Sequence, residues 1–90
     1  MRIYELIIEP QREEHIARHH VSVAEVEAIA LGNAFITRTR RRYYRIIGQT
    51  ADGRYLTIIV GSRGAGVYGL VTARDADQAE RRLYQRQRRD

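Results

Sequence analysis

Ninety residues with no cysteine make one small domain, read as residues 1–90, with room for a single core and with neither a disulfide framework nor a thiolate metal site. All sixteen basic residues are arginine, set against eleven acids, and the net charge of +5 favours an anionic partner, either nucleic acid or an acidic protein surface. The longest early apolar run, Leu6-Ile7-Ile8, falls short of a signal-peptide core, and nothing approaches the ~18 apolar residues of a membrane span, so a cytoplasmic protein without membrane contact is expected.

Arg2 to Ile8 reads as an edge strand or the start of a helix. Pro10 suits a first helical position, with Glu13 and Glu14 in the first turn, and predicts a helix from about Pro10 to His19. Ser22 is then an N-cap with Glu25 as its capping-box partner, and Val21 and Val26 have the spacing of a hydrophobic staple. Gly32 closes this second helix, whose apolar face is Val23, Val26, Ile29 and Ala30. Asn33 to Thr37 turns to strand-like residues, and Thr37 to Arg42 has no Gly or Pro to mark a turn.

Tyr43 to Val60 is two β-branched and aromatic runs around Asp52-Gly53, the pattern of a β-hairpin. A two-residue turn would mix Gln49 and Arg45 with Leu56 and Val60. A three-residue loop, Ala51-Asp52-Gly53 with Gly53 left-handed, pairs Thr50 with Arg54 and gathers Tyr44, Ile46, Leu56, Ile58 and Val60 on one face. That register leaves Arg45, Ile47, Gln49, Tyr55, Thr57 and Ile59 on the opposite face, covered at one end and wet at the other.

Gly61 to Gly66 reads as a flexible connection and Val67 to Thr72 as another strand. Asp75 is placed to cap a last helix with Gln78 as its reciprocal residue and an apolar stripe of Ala76, Ala79, Leu83 and Tyr84. The tail Arg86 to Asp90 is expected to fray. The fold class is therefore α+β: a small antiparallel sheet of three to four strands, two N-terminal helices that pack on its apolar face, and one C-terminal helix.

Four constellations carry chemistry. His15 and His19 stand four apart on one helix face, as in helical zinc sites, but a metal would need further ligands that this sequence supplies only as His20 or scattered carboxylates, and no metal site is expected. The run Arg38, Arg40, Arg41, Arg42 and Arg45 would, if extended, set Arg38, Arg40 and Arg42 about 7 Å apart on one face, where phosphates or carboxylates relieve the repulsion. The loop around Arg63 lacks any nucleotide-cradle pattern. At the strand-to-helix junction Thr72-Ala73-Arg74-Asp75-Ala76, an arginine beside a helix start favours a phosphate.

Taken together, Arg18-His19-His20-Val21-Ser22 before a helix, Ile46 to Arg54 in the hairpin, and Thr72 to Ala76 with Glu80-Arg81-Arg82 and Tyr84 resemble the BrnT-type toxins of bacterial toxin–antitoxin systems over about residues 15 to 85. The resemblance implies a RelE/ParE-like fold, metal-independent ribonuclease activity that arrests translation, no cofactor, and two partners: RNA and a cognate antitoxin, in a homo-oligomer or a toxin–antitoxin hetero-oligomer. The family usually has Gly where this chain has His20, and often a second basic residue where it has Asp75. For such an activity the expected catalytic residues are Arg74 as charge stabiliser, His19 as general acid or base with His20 equally placed, and Tyr84 as a positioning or proton-relay group. Arg45 and Arg63 are expected to hold phosphates, together with the exposed arginines 38, 40, 41 and 42. The competing reading is a non-catalytic module that binds nucleic acid or an acidic protein through the same arginine face.

Overall fold

The computed structural model describes residues 3–88. Within them the chain runs β1 (Glu5–Ile7), α1 (Pro10–Ala17), α2 (Val23–Ala30), β2 (Phe35–Arg40), β3 (Tyr43–Gln49), β4 (Tyr55–Gly64), β5 (Val67–Asp75) and α3 (Gln78–Gln87). The strands form one sheet in the order β1-β5-β4-β3-β2. Five strands are present where three to four are expected, and the sheet is mixed because β1 pairs with β5 in parallel. Arg2, Arg89 and Asp90, at the ends of the predicted first strand and of the tail, lie outside the described residues.

The β3–β4 hairpin has the predicted register. Ile46 pairs with Ile58 and Gln49 with Tyr55, the Thr50 N–H donates to the Arg54 carbonyl at 2.8 Å, and Gly53 closes the turn at φ +91°. Ile46, Leu56, Ile58 and Val60 are fully buried on one face beneath Ile16, Val21, Val26 and Ile29 from the two N-terminal helices. Gly48 permits the close approach: a Cβ there would lie 2.6 Å from Ile29 Cγ2. The capping box at Ser22 and Glu25 forms as the sequence indicates. The turn before it requires a left-handed residue, and His20 supplies it at φ +60°.

The opposite face is half covered. There α3 packs Tyr84 and Leu83 onto Ile47, Phe35, Tyr55 and Ala76. Its N-cap is Asp77, not Asp75: Asp77 and Glu80 make the reciprocal box, while Asp75 ends β5 and binds Arg54. Strand β5 runs on past Thr72 because Ala73, Arg74 and Asp75 still find partners on β4.

Two further expectations give way to pairing. Gly61 to Gly64 continues β4, opposite Gly69, Tyr68 and Val67, so the supposed flexible loop shrinks to a turn at Ala65. Gly61 is tolerated in the strand because the Tyr43 ring occupies the space above it, whereas Gly64 takes a positive φ of +92° at the strand's end. The arginine run is not extended either: β2 and β3 fold back on each other with Arg40 opposite Tyr43 and Arg41-Arg42 as the turn. The first helix also stops at Ala17, two residues short of the expected end.

Candidate nucleic-acid interface

Strand alternation sorts the side chains of the half-covered face. Tyr43, Arg45 and Ile47 on β3, Thr57, Ile59 and Gly61 on β4, and Gly69, Thr72 and Arg74 on β5 point to the same side. With α3 over the Ile47 end, the other end is left as a cleft of about 380 Å³, lined by Arg12, Arg41, Arg42, Tyr43, Gly61, Ser62, Arg63 and Gly69, with Glu9 its one acid. Four guanidiniums against one carboxylate give it a net positive lining, which favours anions.

Between the cleft and α3 lies a polar cluster. The buried Glu80, 4% exposed, accepts from Arg74 Nη1 at 2.8 Å and Nη2 at 3.1 Å and from the Asp77 N–H at 2.9 Å. Arg45 Nη1 stands 3.5 Å from its other side. Burial pushes the Glu80 carboxyl up, but the Arg74 hydrogen bonds, the Asp77 N–H and the Arg74 charge outweigh it and bring the pKa down to about 2. The carboxylate is therefore ionised, and two guanidiniums around one carboxylate leave one positive charge. Arg45 Nε is buried with no hydrogen-bond partner among the described residues, as is Thr37 Oγ1 opposite it in the β2–β3 register.

Helix α1 closes the outer edge of β5 beyond the end of β1. Arg12 Nη1 donates to the Val71 carbonyl at 3.3 Å, and His15 Nε2 lies 3.0 Å from Thr72 Oγ1. The His19 ring stands edge-on to His15 at 5.2 Å between centroids, although α1 ends at Ala17 and His19 lies in the turn that follows it. Among the described residues no group of three or more His, Asp or Glu side chains is arranged to hold a metal ion.

The expected site residues therefore divide. Arg41, Arg42 and Arg63 meet at the cleft, and Arg45 and Arg74 join around Glu80 on the same face. Arg40 shares that face through its pairing with Tyr43, whereas Arg38 pairs with Tyr44 of the other face and donates from Nε to the Arg41 carbonyl. Tyr84 is 4% exposed, its ring edge-on to Tyr55 and its hydroxyl 3.0 Å from Arg88 Nη1, and it lies outside the arginine-lined cleft. The backbone carbonyls of His19 and His20 are taken by Arg54, while the His19 side chain is exposed. Arg12 is not among the expected site residues, His15 is expected only as half of the His15–His19 pair, and Glu80 only as one of the residues that carry the resemblance. For Arg12 and His15 the signal is their spacing, three apart on one face of α1.

A three-helix α+β domain with one face of its sheet half open and lined by arginine is the class that these observations define. The chain superposes on the 1.1 Å crystal structure of the Brucella abortus ribonuclease toxin BrnT with a TM-score of 0.65 and 22% identity over 82% of this chain and 97% of that one, so the fold is the BrnT fold. No protein-family model matches the chain, and no curated protein sequence does. Among the described residues no helix is long and apolar enough to cross a membrane.

Proposed function

We propose that the chain is the toxin of a bacterial type II toxin–antitoxin pair: a metal-independent ribonuclease that cuts RNA in the cytoplasm, arrests translation, and is held inactive in a hetero-oligomer with its antitoxin. The observation that carries this reading is the arginine-lined open half of the sheet, on the fold of a protein that is itself a ribonuclease toxin.

The chemistry asks for positioning and charge. The RNA 2′-oxygen bonds to the adjacent phosphorus and the bond to the 5′-oxygen breaks, leaving a 2′,3′-cyclic phosphate and a 5′-hydroxyl. One proton leaves the 2′-hydroxyl and one reaches the departing oxygen, while the phosphorane carries added negative charge. Arg74 is the charge stabiliser, its plane fixed by the two-point grip of Glu80. Arg45, beside it, is a second donor. Arg41, Arg42, Arg63 and Arg12 hold flanking phosphates along the cleft. Proton transfer falls to His19, in the turn after α1, and to the His15 ring it touches, with His15 nearer the sheet because Thr72 holds it two residues along β5 from Arg74.

Purified protein should cleave single-stranded RNA in excess chelator and leave cyclic phosphate ends. Because Arg74 is a partner of buried Glu80, truncating it to alanine strands a buried carboxylate; Arg74→Lys keeps the charge and loses the fork. That variant should lose at least ~10-fold in cleavage with its thermal transition shifted by only a few degrees. RNA that is bound but stays intact, with and without ribosomes, would replace this reading with the non-catalytic module.

A further inference from the structure

The two planar groups that line the cleft lie on bare backbone. Gly61 and Gly69 pair across β4 and β5. A Cβ at Gly61 would fall 3.3 Å from Tyr43 Cε1, and one at Gly69 would fall 2.5, 2.6 and 2.8 Å from Arg63 Nη2, Nε and Cζ. Three guanidinium atoms at nearly one distance mean that the Arg63 fork lies flat on Gly69. Its Nη2 is also tied to Glu9 at 3.2 Å. Tyr43 rests on the neighbouring strand and is 46% exposed, one of three large apolar side chains that the described residues leave out in solvent. Single exposed aromatics are common and mean nothing alone. This one is seated on a glycine, beside a fixed guanidinium, in a cleft of nucleotide size lined by Arg12, Arg41 and Arg42.

We propose that this cleft is a nucleoside subsite: one unpaired base of a single-stranded RNA stacks on the Tyr43 ring, and the adjoining phosphate is taken by the outward N–H groups of Arg63 with help from Arg42. The inference deepens the ribonuclease reading and rests on it for the identity of the ligand as RNA. A flat ring gives every base the same platform, so the subsite selects single strands over duplexes and has little preference among bases. Gly69 is a positioning residue within it. Any side chain there lifts the Arg63 fork off the sheet, without changing the net charge.

The test uses an end-labelled, uncleavable 2′-O-methyl oligonucleotide and an abasic oligonucleotide of the same length and backbone, with affinities read by fluorescence anisotropy. Wild type should prefer the base-bearing strand by ~5-fold or more, the lower bound for one base on an aromatic ring. Tyr43→Phe should keep that preference and Tyr43→Ala should lose it, both with wild-type thermal transitions because the ring is half in solvent. Gly69→Ala should weaken both strands alike. Equal wild-type affinity for the two strands, or a preference that survives Tyr43→Ala, would overturn the subsite. If RNA is cleaved but that preference is missing, the subsite falls and the ribonuclease reading stands; if the preference is present and RNA stays whole, the subsite stands on a binding module.

Discussion

A carboxylate as buried as Glu80 keeps its charge only because Arg74 grips both of its oxygens and the Asp77 N–H adds a third donor. Its ordinary pKa of 4.5 drops to about 2 in the fold. The folded value being the lower one, Glu80 contributes its full stabilisation above pH 4.5 and loses it as the pH falls towards 2, an effect of about 3 kcal/mol for a shift of this size. Glu80→Gln should therefore be markedly less stable than wild type at pH 7, and the gap should narrow between pH 5 and pH 2 in urea unfolding; a gap constant with pH would mean that the charge is not what Glu80 contributes. Arg54 is the other residue on which several segments depend. It donates to the His19 and His20 carbonyls and to Asp75, and stands 3.6 Å from Glu25. The Asp75 hydrogen bond raises the Arg54 pKa and lowers that of Asp75. Arg54→Ala should cost roughly 1–3 kcal/mol in the same experiment, the range for stranding acceptors of a charged donor.

At the scale of elements, what was legible in the sequence was local. The hairpin register follows from counting which slip gathers Ile46, Leu56, Ile58 and Val60 together, and the second helix announces its start through Ser22 and Glu25. What was not legible depends on tertiary pairing. Gly61 to Gly64 has loop composition and becomes strand because it pairs with Gly69, Tyr68 and Val67 of β5, with the Tyr43 ring over Gly61. The end of β5 and the cap of α3 hang on whether Asp75 or Asp77 leaves the sheet first, and only pairing with β4 decides that. The candidate site was legible as residue type, not as grouping: arginines were expected on the surface, but which of them share a face follows from the turn at Arg41-Arg42 and from alternation along three strands. Tyr84 is the most deeply buried member of its helix stripe, and a stripe does not reveal which of its members ends up deepest. The left-handed His20 offers a test of this local reading. It is exposed, so His20→Gly removes strain without losing packing and should stabilise the fold by up to ~1 kcal/mol in urea unfolding. A destabilised variant would mean that His20 makes contacts worth more than its backbone strain.

Across the whole molecule, the two faces of the sheet divide the work. One is closed by α1 and α2 and supplies the core, while the other is closed only at the Ile47 end and leaves the arginines where a polyanion can reach them. On the toxin reading proposed above, an acidic antitoxin surface that covers the cleft would compete with RNA for the same charges, so neutralisation by exclusion is expected. The most direct test of this account is the salt dependence of single-stranded RNA affinity for wild type and for a variant with Arg41, Arg42 and Arg63 all changed to Gln. If each arginine holds a phosphate, the slope of log affinity against log salt should be shallower in the variant by about 0.7 per lost contact, close to 2 in all. An unchanged slope would contradict the account, because RNA would then be binding somewhere other than the open half of the sheet.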